Sequence, residues 1–140
     1  MIALRKNFDQ GFSQDIHEMF GEGSVLSGAK NFEYRPEQQQ MAGAVADALE
    51  GNHHLVVEAG TGVGKSLAYL IPAALFALEH HRKAIISTHT INLQEQLLQK
   101  DIPIVRKLLD RPFEAVLLKG RQNYLCPNRL DRALQLQNDL

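Results

Sequence analysis

The run Ala59-Gly60-Thr61-Gly62-Val63-Gly64-Lys65-Ser66 constrains this chain more than any other segment. Its three alternating glycines let the backbone turn tightly and come close to a ligand without a Cβ in the way. A lysine and a hydroxyl residue close the run. That order suits a loop around the phosphates of a nucleoside triphosphate, with N–H groups cradling the charge, Lys65 reaching the β- and γ-phosphates and Ser66 ligating Mg²⁺. Such a loop requires a strand before it and a helix after it. Leu55-Val56-Val57 supplies a short, β-branched apolar run upstream. Downstream, Leu67, Leu70, Ile71, Ala74, Leu75 and Leu78 fall on one helical stripe, with Pro72 as a candidate kink. A helix starting near Lys65 aims its positive end at the same phosphates.

The alternation continues on both sides. Pro36 suits a first helical position, and Met41, Ala44, Val45, Ala48 and Leu49 recur at helical spacing up to Gly51. Ala84-Ile85-Ile86-Ser87 and Ala115-Val116-Leu117-Leu118 read as a second and a third strand, with a helix over Leu93 to Leu98 between them. A further short helix is expected over Gln14 to Phe20. Strands alternating with helices predict an α/β fold, a P-loop NTPase (RecA-like) parallel sheet with flanking helices, incomplete within this chain. The expected division is a weakly patterned lead-in over 1–31, the alternating α/β part over 32–118, and a further segment over 119–140.

Composition narrows the partners. The 140 residues allow one domain at most, and 44% apolar with 22% charged residues is ordinary globular usage. The single cysteine, Cys126, excludes an internal disulfide and, with no apolar leader at the N-terminus, points to a reducing, cytoplasmic setting. The greasiest stretch, Leu67 to Leu78, is too short to span a bilayer. A net charge of −1 gives no global field for nucleic acid, but residues 100–132 hold eight Lys or Arg against four Asp or Glu. That local excess permits a phosphate-facing surface, or simply a solvated face.

Four smaller features carry candidate chemistry. Gln38 continues the apolar face of its helix one turn upstream, so its amide needs a partner, and an adenine edge is one. Glu37 is expected on the same face and Gln39 away from it, and a solvated trio of glutamines is the bland alternative. Thr88 and Thr90 follow a strand end, the ligand edge of an open α/β sheet, where hydroxyls suit a sugar–phosphate backbone. Capping of the next helix by Thr90 or Asn92 is the alternative, and both roles are compatible. The adjacent pairs His53-His54 and His80-His81 point to different faces and form no natural chelate.

Taken together, these segments resemble the DinG-like branch of the XPD-type, superfamily 2 DNA helicases. Tyr34-Arg35-Pro36-Glu37-Gln38-Gln39-Gln40-Met41 is similar to the family's adenine-reading segment, which implies nucleotide contacts for Gln38 and Arg35. Val57 to Ser66 resembles the first helicase motif, in which Ala59 stands where the general pattern has Gly. Ile86 to Leu97 resembles the next motif, which implies single-stranded DNA at Thr88 and Thr90. Lys119-Gly120-Arg121-Gln122-Asn123-Tyr124-Leu125-Cys126 resembles the entry to an iron–sulfur domain. There Lys119 and Arg121 are expected at DNA, and Cys126 as one of four ligands of a 4Fe-4S cluster. The resemblance implies 5′-to-3′ unwinding of DNA or its junctions, driven by ATP and Mg²⁺, in repair or replication.

No two acidic residues are adjacent anywhere in the chain, so the Asp-Glu pair that a helicase uses on Mg²⁺ and water is missing. The chain therefore reads as one half of an ATP site and the opening piece of a motor. Another P-loop NTPase or kinase, and a non-catalytic ATP-binding module, are the competing readings.

Overall fold

A computed structural model describes residues 11–24, 26 and 33–138. The helices are α1 (Phe12–Met19), α2 (Pro36–Gly51), α3 (Lys65–Glu79), α4 (Ile91–Gln96), α5 (Ile102–Leu109) and α6 (Pro127–Asn138), with a π-helical turn over Leu97–Asp101 and a 3-10 turn over Arg121–Asn123. The helix expected over Gln14 to Phe20 starts two residues earlier, behind Gly11, and ends one residue earlier at Met19.

α2 begins where its proline places it, with Pro36 at the first position after Arg35. Its end differs from expectation by one residue: the left-handed cap is Asn52 (φ 52°), not Gly51, and His53 N–H bonds back to the Ala48 carbonyl at 3.1 Å. Asparagine tolerates that conformation nearly as well as glycine. The buried face of α2 is also rotated relative to the expected stripe. Gln38, Ala42, Gly43 and Ala46 are buried, while Met41 and Leu49 are only partly covered. The small residues face inward because α1 crosses closely there. A Cβ on Gly43 would sit 3.2 Å from the His17 ring.

α2 packs against both α1 and α3, and α3 packs against α5. Phe12, Ile16, Phe20 and Leu26 join Ala42, Ala46, Ala68, Leu70, Ile71, Leu75, Val105, Leu108 and Leu109 in one core. Each large apolar side chain buried there contributes about 1.5–3 kcal/mol relative to exposure. Ring contact ties the first helix to the third, with Phe12 edge-on to Phe76 at 5.6 Å. α3 passes through Pro72 unbroken, and the ring of that proline is buried. No helix among the described residues is long and apolar enough to cross a membrane.

The three expected strands are not formed as strands. Residues 53–60, 82–88 and 111–120 lie outside the helices, and no ladder hydrogen bond joins any of them among the described residues. A strand exists only by pairing with a neighbour about 4.8 Å away, and local sequence reports its pleat but not its partner. The pleat itself is present. In the third segment Phe113, Ala115 and Leu117 are half-covered, while Val116 and Leu118 are 90% and 83% exposed. Val56 and Ile85, 96% and 92% exposed, are bare in the same way. Each segment thus has an apolar outer face as well as an inner one, the pattern of strands covered on both sides.

Candidate functional site

The loop from Ala59 to Gly64 leaves an extended segment and enters α3 with Gly62 and Gly64 at positive φ (85° and 77°). At Gly64 the backbone angle favours glycine, and a Cβ there would push aside the end of the Gln38 side chain. No side chain caps the N-terminus of α3, and its first turn holds no acidic residue; it opens on Lys65 instead. Helices ordinarily favour acidic groups at that end. An uncapped, cation-led N-terminus after a glycine loop is what an anionic ligand requires. Lys65 donates to the Ala59 and Gly60 carbonyls at 2.9 and 2.6 Å, so its ammonium is already held over the loop.

Two residues from the start of α2 grip the same loop. Gln38, only 4% exposed, donates from Nε2 to the Gly64 carbonyl at 2.9 Å. Arg35 donates from Nη1 to the Gly62 carbonyl and pairs through Nη2 with Glu33 at 2.9 Å. The expected partition of the neighbouring side chains is reversed. Glu37 is exposed, whereas Gln39 turns inward to donate to the His17 carbonyl (2.9 Å) and accept from the Tyr34 hydroxyl (3.0 Å). The buried stripe of α2 runs through Gln38, Ala42, Gly43 and Ala46 rather than through Met41 and Val45, which turns Glu37 outward. The Arg35 contact with the loop has no periodic signal in the sequence, since it joins residues 27 positions apart.

Thr88 and Thr90 lie before α4 and are engaged with one another. Thr90 Oγ1 accepts from Leu93 N–H at 3.3 Å, capping the helix, and Thr88 Oγ1 donates to the Thr90 carbonyl at 3.4 Å. Lys119 is brought to this same helix by Glu95, at 3.3 Å. Its N–H donates to the Tyr124 hydroxyl at 2.8 Å, which folds the segment back on itself. Arg121 is exposed on the 3-10 turn. Cys126 is exposed at the start of α6, its carbonyl accepting from Arg129 and Leu130 N–H.

The donor set after the glycine loop fits a nucleoside triphosphate with Mg²⁺: uncapped amides, a lysine at the loop carbonyls and a serine in the first turn of α3. It does not fit an iron–sulfur cluster. Cluster iron takes four protein ligands, typically thiolates, and this chain has one cysteine.

Known proteins are similar to this chain over the region that holds the glycine loop. Residues 35–124 match the DEAD/DEAH box helicase family. The chain is 40% identical over 140 residues to the 3′-5′ exonuclease DinG of Bacillus subtilis, covering 99% of this chain and 15% of that protein. It is 46% identical over 112 residues to the ATP-dependent DNA helicase YoaA of Haemophilus influenzae, covering 80% and 17%. It is 51% identical over 104 residues to the ATP-dependent helicase DinG of Mycobacterium tuberculosis, covering 71% and 16%. The chain thus spans about 15–17% of the length of these relatives. Family membership implies a RecA-like domain, of which the described residues form the helices and the glycine loop. With its glycine loop, the helix that the loop opens and the flanking segments all inside the matched region, the chain belongs to the DEAD/DEAH box helicase family and is similar to its DinG and YoaA proteins.

Proposed function

We propose that this chain forms the first ATP-binding segment of a DNA helicase motor that unwinds DNA 5′-to-3′. The observation that carries the reading is the double grip of Arg35 and Gln38 on the Gly62 and Gly64 carbonyls, beside Lys65 at an uncapped helix end. Ala59, Gly60, Thr61, Gly62, Val63 and Gly64 wrap the phosphates through their backbone. Lys65 exchanges its two loop carbonyls for phosphate oxygens, and Ser66 holds Mg²⁺. Mg²⁺, held by Ser66, would supply charge neutralisation for the phosphates. Gln38 and Arg35 are proposed as the base-reading residues, and their side chains already fix the shape of the loop.

Thr88 and Thr90, with Lys119 on the same helix through Glu95, form the surface proposed for single-stranded DNA, and Arg121 extends it. Contacts of this kind follow the backbone and read no base. Cys126 is proposed as one cluster ligand only where a longer protein brings the other three.

The test is nucleotide binding by the 140-residue chain, read with a fluorescent ATP analogue. Removing a charge-assisted contact costs about 1.5–3 kcal/mol, so Lys65→Ala should weaken binding by roughly ten- to a hundredfold. Equal affinity of wild type and variant would refute the assignment. Because the chain has no adjacent acidic pair to prepare water, its own ATP turnover should stay well below about one per second.

A further inference from the structure

Gln39 is a polar side chain of α2 that the ATP site as described does not use, yet both ends of its amide are engaged. The reason begins at the end of α1. The last carbonyls of a helix have no partner within it and must find one outside. Here the chain turns at Gly21, whose N–H bonds back to the Glu18 carbonyl at 3.0 Å, and Phe20 N–H bonds to the Ile16 carbonyl at 3.3 Å. The His17 carbonyl between these two is met from the next helix, by Gln39 Nε2 at 2.9 Å. Nε2 also stands 3.3 Å from His17 Nδ1. The approach is close, since a Cβ on Gly21 would lie 3.3 Å from the same nitrogen.

The other end of the amide, Oε1, accepts from the Tyr34 hydroxyl at 3.0 Å. An amide has distinct donor and acceptor ends, so with its nitrogen given to His17 the oxygen is what remains for the tyrosine. Gln39 therefore ties the end of α1 to the short segment that leads into α2. Along that segment Glu33 and Arg35 pair at 2.9 Å, while Tyr34 between them is taken by Gln39. Arg35 also precedes Pro36, which holds its backbone extended (φ −139°, ψ 116°). The guanidinium that bonds to the Gly62 carbonyl thus stands on a backbone anchored by the proline after it and the tyrosine before it.

We propose that Gln39 and Tyr34 are positioning residues for Arg35: the Gln39 amide bridges the end of α1 to the Tyr34 hydroxyl and so holds the Arg35 guanidinium at the glycine loop. The lead-in helix α1 thereby acts on the nucleotide site through the start of α2. This role rests on the reading of residues 59–66 as an ATP site.

The experiment titrates a fluorescent ATP analogue against the whole 140-residue chain, with chemical denaturation run on each variant. Gln39→Met keeps the bulk and removes both bonds, whereas Tyr34→Phe keeps the ring and removes only the second. Each should weaken binding by roughly twofold to tenfold, the size of one neutral hydrogen bond. In an Arg35→Ala background neither should weaken it further, because a residue that acts through Arg35 then has nothing left to place. If Gln39→Met does not fold, Tyr34→Phe with and without Arg35 decides the matter. Lowered stability with wild-type affinity would overturn the inference, because that is the mark of a bond that only holds α1 in place. A loss of the same factor with and without Arg35 would overturn it too, since the effect would then bypass the guanidinium. If Lys65→Ala loses binding while Tyr34→Phe binds as wild type, the ATP site stands and this inference falls. A wild type that binds no nucleotide would overturn the ATP-site reading, and this inference with it.

Discussion

Gln38 Nε2 lies 2.9 Å from the carbonyl of Gly64, the residue from which α3 starts. One side chain near the start of α2 thereby sets where the glycine loop ends and the phosphate-facing helix begins. The same carbonyl also accepts from Ala68 N–H at 3.4 Å, so it belongs to the helix and to the flanking amide at once.

Gln38→Leu keeps the buried volume and removes the donor. Because Ala68 still serves the Gly64 carbonyl, stability should fall by only about 0.5–1.5 kcal/mol, as for one neutral hydrogen bond. ATP-analogue affinity should fall as well, since the loop end is no longer fixed. Chemical denaturation and a binding titration check the two effects, and unchanged values in both would remove Gln38 from the site.

Gly64→Ala should be more harmful than an ordinary glycine substitution. The left-handed backbone costs a side chain about 1–2 kcal/mol, and the new Cβ also meets the Gln38 amide. Shortening Gln38 to alanine in the same molecule should recover the steric part and leave the backbone part. A double-mutant cycle by denaturation reads this directly, and strict additivity would contradict the close approach.

Thr90→Val removes the oxygen that accepts from Leu93 N–H and should cost about 0.5–2 kcal/mol, with Thr90→Ser restoring most of it. If the threonine also touches a DNA backbone, Thr90→Val should weaken single-strand binding alike for all sequences. A loss confined to particular bases would oppose that proposal.

Glu79 has a raised pKa, because burial outweighs the attraction of Arg111 at 3.8 Å. A carboxyl whose folded pKa lies above its unfolded value binds more protons when folded, so its contribution is present at low pH and is lost as pH rises through the folded pKa. Stability should therefore decline on going upward from the ordinary carboxylate value of 4.5, and Glu79→Gln should flatten that decline. Denaturation midpoints across the acidic range measure the slope. A rise in stability over that range that disappears in Glu79→Gln would reverse the sign and refute the prediction.

The local elements were legible in the sequence where their causes are local. Pro36 started α2, the glycine run with Lys65 and Ser66 marked the loop, and the leucine stripe after it marked α3, because caps, loop angles and helical periodicity are short-range effects. Thr90 as a cap was legible for the same reason. What needed the tertiary structure was everything that joins distant residues. The inner face of α2 was decided by the close crossing of α1 at Gly43, not by the apolar stripe. The three pleated segments read as strands because β-branched runs report burial, whereas a ladder needs partners that no local pattern names. The grip of Arg35 and Gln38 on the glycine loop depends on packing between elements far apart in the chain. Composition and spacing determined the pieces, and only the fold decided which of them touch.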